Sequence, residues 1–186
     1  MINKKEKKNK GFTLIEAMVA VFILTISIVS LMNVVVSSLF AARYAKDEIT
    51  VNYLLQEAVD YVRNDRDTVF LQVDDPSEGW KIFSKKYEIC SDAGKCYLDV
   101  IDGAGPKECL SSECTILYYN ESPEKNEAFY THDKTKQGVA QSKFKREIEV
   151  GSVSSDEISV KVTVRWTSGT MSKERTLETS LLRWQY

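Results

Sequence analysis

The chain has 186 residues and a net charge of −2, which leaves room for one membrane helix and one domain of moderate size. The charge is uneven, because residues 1–11 hold five lysines and one glutamate while the remainder holds 20 basic and 26 acidic residues. An acidic body of this kind argues against a nucleic-acid-binding function, which would need a basic face. The single histidine lies outside any hydrolase or metalloprotease motif, so we predict no enzyme activity, catalytic residue, metal or cofactor.

An apolar segment follows the basic arm and runs from Phe12 to about Val36, and about 20 such residues suffice to span a bilayer. Positive charge ahead of a span holds that end in the cytoplasm. We therefore predict a single-pass protein of the cytoplasmic (inner) membrane with an extracytoplasmic head. Glu16 lies inside the apolar segment, where a charged side chain costs about 2.5–3.5 kcal/mol, so we expect it to have a partner.

The stretch Gly11-Phe12-Thr13-Leu14-Ile15-Glu16, between the basic arm and the apolar run, resembles the N-terminus of type IV prepilins and of type II secretion pseudopilins. The resemblance implies that residues 1–11 are a leader, which a prepilin peptidase removes by cutting between Gly11 and Phe12. It also implies N-methylation of Phe12 and assembly with other pilins or pseudopilins by an assembly ATPase and a polytopic platform protein.

Glu16 corresponds to the glutamate that this family carries at the fifth position of the mature chain. A carboxylate in a water-poor filament core is costly unless it is paired. We expect Glu16 to pair with the new amino terminus of Phe12 on a neighbouring subunit and so to set the register of assembly.

A signal-anchored, single-pass surface binding or sensor protein that does not polymerise is the alternative. It accounts for the lysines and the length of the apolar run, but it gives no role to Glu16. A secretory signal peptide fits less well, because its apolar region is about 7–15 residues long and precedes the cleavage site.

A single long helix is predicted after the cleavage site, because neither proline nor glycine occurs between Phe12 and Asp75. Residues 12–36 form its membrane and assembly half, and residues 37–66 form an amphipathic spine that ends near Asp65. The spine has apolar positions at three- and four-residue spacing, which indicate a face packed on a domain. Because many major pilins carry glycine or proline in the membrane half, we favour a minor pilin or a pseudopilin.

Residues 67–186 are predicted to form a β-rich head. Pro76 and Gly79 indicate a loop, after which a cysteine-containing lobe (86–119) has short strands at 86–89, 96–101 and 115–119 and a turn at 103–106. The polar stretch 120–138 reads as a long loop in which His132 is a solvated surface residue.

The C-terminal part, residues 144–186, shows the two-residue alternation of half-buried strands. Strands are predicted at 144–150 and 158–166, with a turn at 167–172 and a last strand from 177 to about 184. We interpret them as an antiparallel meander with one face on the spine and one in water. The predicted fold class is α+β, a long N-terminal helix packed on an antiparallel sheet, as in pilins.

Four cysteines, Cys90, Cys96, Cys109 and Cys114, lie close together in the head. Disulfides are favoured over zinc because the head is predicted to be translocated and no paired C-x2-C spacing occurs. The short loops favour Cys90–Cys96 and Cys109–Cys114, although three connectivities are open.

Two further groups of residues in the head are expected to have no ligand. Asp74, Asp75 and Glu78 do not match an EF-hand calcium loop and read as an exposed acidic turn. The three tryptophans are expected to serve packing; they are Trp80, Trp166 and Trp184.

Overall fold

A computed structural model describes residues 11–91, 94–109, 114, 116–120 and 128–183, with the backbone alone at 152 and 153. The chain divides into two compact units, Met1–Lys46 and Asp47–Tyr186. Helix α1 (Leu14–Gln72) contributes residues to both units. The structure confirms the α+β class, since the second unit packs this helix on an antiparallel sheet.

Helix α1 is continuous over 59 residues, as the lack of glycine and proline predicts. It ends at Gln72 rather than near Asp65, although polar residues weaken the helix signal at 64–67. Phe70 explains the extension, because its side chain is 8% exposed and packs edge-on against Trp80, with ring centroids 6.4 Å apart. Tertiary packing therefore outweighs weak local propensity here.

Helix α2 (Pro76–Tyr87) occupies the segment predicted as a loop, so that prediction is wrong. Asp75 is its N-cap and accepts a hydrogen bond from Ser77 N at 2.8 Å, and Pro76 takes a first-turn position that suits its missing N–H. Gly79 faces the C-terminal end of α1, where a Cβ would come within 3.6 Å of Phe70 Cα and within 2.9 Å of the side chain of Val73, the residue just after the helix. Of the two residues that indicate a loop in the sequence, Pro76 therefore starts α2 and Gly79 lets it pack against the end of α1.

A 3-10 turn (Glu88–Cys90) follows α2 directly, so the strand predicted at 86–89 is also wrong. The strand predicted at 96–101 is shorter and becomes β1. The stretch 120–138 contains a strand, β4, so it is not one long loop.

The described residues form a seven-stranded sheet in which every pairing is antiparallel. Strand β5 is central: it pairs with β6 along one edge and with β1 and β3 along the other, while β7, β2 and β4 lie outside them. The strands are β1 (Cys96–Leu98), β2 (Pro106–Glu108), β3 (Ile116–Asn120), β4 (Phe129–Thr131), β5 (Val139–Ser154), β6 (Glu157–Ser168) and β7 (Met171–Leu182).

Strands β5, β6 and β7 form the predicted meander, and the turn between β6 and β7 is tighter than expected. It contains Gly169 at φ 63°, a backbone conformation that favours glycine. The last strand is predicted to reach about Trp184, which lies outside the described residues.

The core of the second unit lies between α1 and the inner face of the sheet. Each large apolar side chain buried there contributes roughly 1.5–3 kcal/mol. The helix contributes Val51, Leu54, Leu55, Ala58, Val59 and Val62, and the sheet contributes Ile148, Val150, Ile158, Val160, Val162, Val164 and Trp166. These are the apolar positions of the predicted spine and of the two alternating strands.

The outer face of the sheet is predicted to be exposed to solvent, but part of it is buried. Glu147 of β5 is 3% exposed, and its carboxylate accepts hydrogen bonds from Lys95 Nζ at 2.9 Å and from Arg165 Nη1. A carboxylate that loses water needs such charged partners. The alternation predicts the direction of this side chain but not its burial.

Candidate functional site

The N-terminal turn of α1 contains the residues predicted for processing and assembly. Gly11 and Phe12 precede the helix without regular structure, and the Phe12 side chain is 71% exposed. Thr13 caps the helix, because its Oγ1 accepts a hydrogen bond from Glu16 N at 3.3 Å and its carbonyl accepts one from Ala17 N at 3.1 Å. The Gly11–Phe12 peptide bond therefore lies in exposed, non-helical chain.

Glu16 lies in the first turn of α1 and is exposed. Thr13 and Glu16 have the spacing of a capping box, and an acid in the first turn interacts favourably with the helix dipole. Among the residues that the structure describes, the Glu16 carboxylate has no ion pair or hydrogen bond. The helix therefore tolerates the acid locally and leaves its carboxylate available to another molecule.

The apolar half of α1 includes an 18-residue window with a mean hydropathy of 2.6, none of it buried. By length and composition this helix can cross a membrane. Several of its hydroxyl groups bond to carbonyls of the preceding turn, as Thr25 does to Phe22 at 2.8 Å and Ser27 to Ile23 at 2.8 Å. Asn33 differs, because its side-chain amide makes no hydrogen bond within the described part of the chain.

Two ion pairs attach α1 to the sheet where the buried half of the helix begins. Lys143 of β5 lies 2.6 Å from Asp47, and Arg175 of β7 lies 2.6 Å from Glu48. Asp47 is 8% exposed, which strengthens its pairing relative to a fully wet pair. Both β5 and β7, the two neighbours of β6 in the sheet, are thereby joined to α1.

Arg146 of β5 is fully buried beneath α1. Its Nη1 donates to the Leu54 carbonyl at 3.1 Å and to Glu57 Oε2 at 2.5 Å, and its Nη2 donates to the Leu98 carbonyl at 2.9 Å. One guanidinium thus joins the helix, the central strand and β1. Its fixed fork of donors suits this task better than an ammonium group would.

Asp99, which follows β1, organises a second buried polar cluster and is 4% exposed. It accepts hydrogen bonds from Thr131 Oγ1 at 2.6 Å, from His132 N at 3.0 Å and from Ile101 N at 3.1 Å. Burial raises the pKa of Asp99, but these three hydrogen bonds outweigh burial and hold the pKa below its usual value. The cluster ties the end of β1 to the end of β4.

His132 is half-buried rather than solvated, which corrects the expectation for this residue. Its ring packs on Tyr97 with centroids 4.6 Å apart, and both ring nitrogens are buried. Burial, and after it the charge of Arg146, lower the pKa of His132 to about 4. The imidazole is therefore neutral at pH 7 and acts as a packing group.

The structure joins the four cysteines as Cys90–Cys96 and Cys109–Cys114, with Cα–Cα distances of 5.1 and 4.8 Å. These are the pairs that the short loops favour. Cys90–Cys96 links the 3-10 turn after α2 to β1, and Cys114 Sγ lies 3.5 Å from the Cys96 carbonyl. Within the described residues no group of three or more histidine, cysteine or acidic side chains could hold a metal.

The remaining residues singled out in the sequence have structural positions. Trp80 and Trp166 are 6% and 3% exposed and belong to the core, while Trp184 lies outside the described residues. Asp75 caps α2 as described above, and Asp74 and Glu78 lie on either side of that cap.

Sequence reasoning missed Arg146 and Asp99 as organising residues. Arg146 shares its face of β5 with Phe144 and Ile148, so a charge among apolar alternating positions was a usable signal. Asp99 offered no comparable signal, because two of its three donors, Thr131 Oγ1 and His132 N, lie more than 30 residues later in the sequence.

Residues 7–32 match the family model for the prokaryotic N-terminal methylation motif, the signature of type IV prepilin-like proteins. The match includes Gly11, Phe12 and Glu16 and ends inside the apolar half of α1. No curated protein and no solved structure matches the chain significantly.

Proposed function

We propose that this chain, which carries the signature of type IV prepilin-like proteins, is a minor pilin or a pseudopilin. It is cleaved between Gly11 and Phe12, N-methylated at Phe12, and assembled through its N-terminal helix into a type IV pilus or a secretion pseudopilus. The observation that carries the proposal is the methylation motif at 7–32, with Glu16 in the first turn of an exposed apolar helix.

The geometry around Gly11 supports processing at this position. A peptidase needs an extended substrate, and the bond between Gly11 and Phe12 precedes the first helical residue, Leu14. The helix cap is Thr13, which lies on the mature side of the cut. Removal of residues 1–11 therefore leaves the helix start intact, and the new amino group lies one residue ahead of the cap.

Electrostatics support the role of Glu16 in assembly. Cleavage creates a positive charge at Phe12, and the free carboxylate of Glu16 is its natural counterion once helices exclude water. Apolar contacts between two helices allow one helix to slide along the other, whereas an ion pair fixes one axial position. Asn33 offers a second polar contact, because side-chain amides bind across neighbouring helices in apolar surroundings.

Among the residues that the structure describes, the core of the head lies within residues 47–186, so we expect the head to fold without the leader. The subunit is then a membrane protein whose N-terminus is cytoplasmic and whose head is extracytoplasmic, a compartment that permits disulfides. Its partners are other pilins or pseudopilins, the prepilin peptidase, the platform protein and the assembly ATPase.

Replacing Glu16 tests assembly directly. Glu16→Gln keeps the side-chain size and the helix but cannot pair with an amine, so we expect membrane insertion and cleavage at normal levels. We expect the amount in sheared filaments or crosslinked assemblies to fall by at least about tenfold, since losing one partner of a buried pair costs about 3–5 kcal/mol. The measurement is the ratio of filament-bound to membrane-bound protein.

Thr13→Ala is the matched control, because it removes the helix cap from the same turn and leaves the carboxylate. It should assemble far better than Glu16→Gln. Normal assembly of Glu16→Gln would contradict the register role and favour a signal-anchored protein that does not polymerise.

A further inference from the structure

An open groove of about 530 Å³ lies between α2 and the end of β5. Its floor is apolar, formed by Trp80, Val150 and Ile158, which are all less than 9% exposed. Its rim is polar and includes Lys81, Lys85 and Ser154. The volume falls in the range of sites that bind ligands, and none of these residues belongs to the N-terminal assembly region.

Two contacts hold α2 alongside β5, and the helix runs antiparallel to the strand. At one end Trp80 Nε1 donates to the Ser155 carbonyl at 2.8 Å. At the other end Cys90 is bonded to Cys96, whose Cα pairs with Ile148 of β5. The helix and its 3-10 turn therefore follow β5 from residue 155 back to residue 148, and the groove is the space left between them.

Within the described residues, no strand pairs with the edge of β5 that borders this space. β1 pairs with β5 at Ile148, and in the described part of the chain residues 149–152 and 154 pair only with β6, on the opposite edge, with a register shift between Ser152 and Ser154. A strand edge with free N–H and C=O groups is a template for another strand, and proteins usually cover it. Here α2 runs beside the edge without filling the gap.

Two lysines on α2 give the groove its charge. Lys81 and Lys85 are exposed and have no ion pair with any described residue, whereas the neighbouring Lys86 lies 2.7 Å from Asp65. One helical turn separates them, about 6 Å, which is close to the spacing of alternate residues in an extended strand, about 6.6 Å. Among the described residues that line the groove, Glu88 is the one acid, and it lies in the 3-10 turn just after α2.

The hydroxyl of Ser84 adds a polar group between the two lysines. Its Oγ is buried and has no hydrogen-bond partner within the described residues, and it lines the groove. A buried hydroxyl without a partner is costly, so a ligand that reaches it gains a hydrogen bond.

We propose that this groove binds an extended acidic peptide segment of a protein partner, which adds as a strand to residues 149–154 of β5. Carboxylates at alternate positions of the segment pair with Lys81 and Lys85. Main-chain hydrogen bonds to the strand edge supply affinity and the lysines supply selectivity, as in other complexes formed by strand addition. The apolar floor removes water from around the ion pairs and strengthens them.

The test uses the full chain in detergent micelles and a fluorescein-labelled hexapeptide, Thr-Glu-Val-Glu-Val-Thr, blocked at both ends. Fluorescence anisotropy measures its affinity, and hydrogen exchange measures protection of the amides at 149–154. Two matched probes are the peptide with lysine for glutamate and the acidic peptide with alternate backbone nitrogens methylated. We expect the acidic peptide to bind and to protect those amides, and each matched probe to bind at least about tenfold more weakly.

The protein variant is Lys81→Glu with Lys85→Glu, and its control is Lys134→Glu, an exposed lysine that does not line the groove. The double variant should bind the acidic peptide at least about tenfold more weakly, and the control should bind it normally. If the double variant fails to fold, the methylated peptide still decides on the unchanged protein.

Equal binding of the methylated and unmethylated peptides would overturn strand addition. Equal binding by the double variant and the unchanged protein would overturn the role of the lysines, and no binding by the acidic peptide would overturn the site. Self-association in micelles that the double variant abolishes would assign the groove to a second copy of the chain and would equally contradict the proposal.

Discussion

The two halves of α1 treat polar side chains in different ways. In the apolar half, Thr25 and Ser27 bond back to carbonyls of their own helix, so each hydroxyl is satisfied without a partner element. In the half from Asp47 onward, the carboxylates of Asp47, Glu48 and Glu57 bond instead to Lys143, Arg175 and Arg146 of the sheet.

The difference follows from what covers each half. A segment with no partner in its own chain must satisfy its polar groups internally if it is to enter lipid. A segment that packs on a sheet can use polar groups to select one position on that sheet, since apolar contacts alone permit sliding. Within the described residues the side chains of Glu16 and Asn33 make no such internal bond, and this is why we propose that they contact other subunits.

Among the substitutions that test this difference, Arg146→Ala should cause the largest loss of stability. The substitution leaves the Glu57 carboxylate and two backbone carbonyls without their buried donor, so we expect the free energy of unfolding to fall by about 3–5 kcal/mol. Urea unfolding of the full chain in micelles, followed by the fluorescence of the buried tryptophans, measures it.

Arg175→Ala is the matched control for Arg146→Ala. It removes a pair with the same helix, but the Arg175 side chain is 53% exposed, so its loss should cost no more than about 1 kcal/mol. Equal losses for the two variants would show that burial of the guanidinium does not matter.

Acid should weaken the head through His132. Its pKa is lowered to about 4 in the folded chain and is about 6.5 when unfolded, so the unfolded state takes up the proton first. The contribution of His132 to the free energy of unfolding is fully present above about pH 6.5. It is lost as the pH falls toward 4, which lowers the free energy of unfolding by up to about 3 kcal/mol. Thermal unfolding measured across this pH range reveals the slope.

His132→Phe keeps an aromatic ring against Tyr97 and cannot take up a proton, so it isolates this effect from the titration of carboxylates such as Asp99. We expect a flatter stability profile between pH 6.5 and 4 for the variant than for the unchanged protein. Parallel profiles would exclude His132 as the source of the acid sensitivity.

A smaller effect than the loss of Arg146 or the protonation of His132 should come from removing the disulfide between Cys90 and Cys96. Closing a loop this short stabilises by about 2 kcal/mol in the chain-entropy model, so the paired substitution to alanine should loosen the junction of α2 and β1. Hydrogen exchange should rise in β1 and β2 and stay unchanged at residues 14–46. A rise across the apolar half of α1 would mean that the two halves are coupled.

The regular elements were predictable because their signals are local. The long helix follows from a run without glycine or proline, and β6 follows from strict alternation over 158–166. Helix α2 was missed because Pro76 and Gly79 are typical of a loop, although Asp75 is a helix cap and Pro76 a first-turn proline. The length of α1 was missed because Phe70 is held by Trp80, a contact that local propensity does not contain.

The candidate site divides in the same way. Gly11, Phe12 and Glu16 lie within one short motif, so their spacing alone indicates the prepilin-like family. Residues 7–32 match the family model for that motif. Arg146 joins Leu54, 92 residues away, and Leu98, 48 residues away. Such pairings depend on strand order and register, which alternation by itself does not specify.

The central claim, that the chain is a processed prepilin-like subunit, is tested most directly by the mass of its mature N-terminus. Mass spectrometry of the protein from its native cell should find a chain that begins at Phe12 and carries one additional methyl group. Gly11→Leu should leave the chain uncut, because the proposed peptidase requires a small residue there. A mature chain that retains Met1, or begins anywhere other than Phe12, would contradict the account.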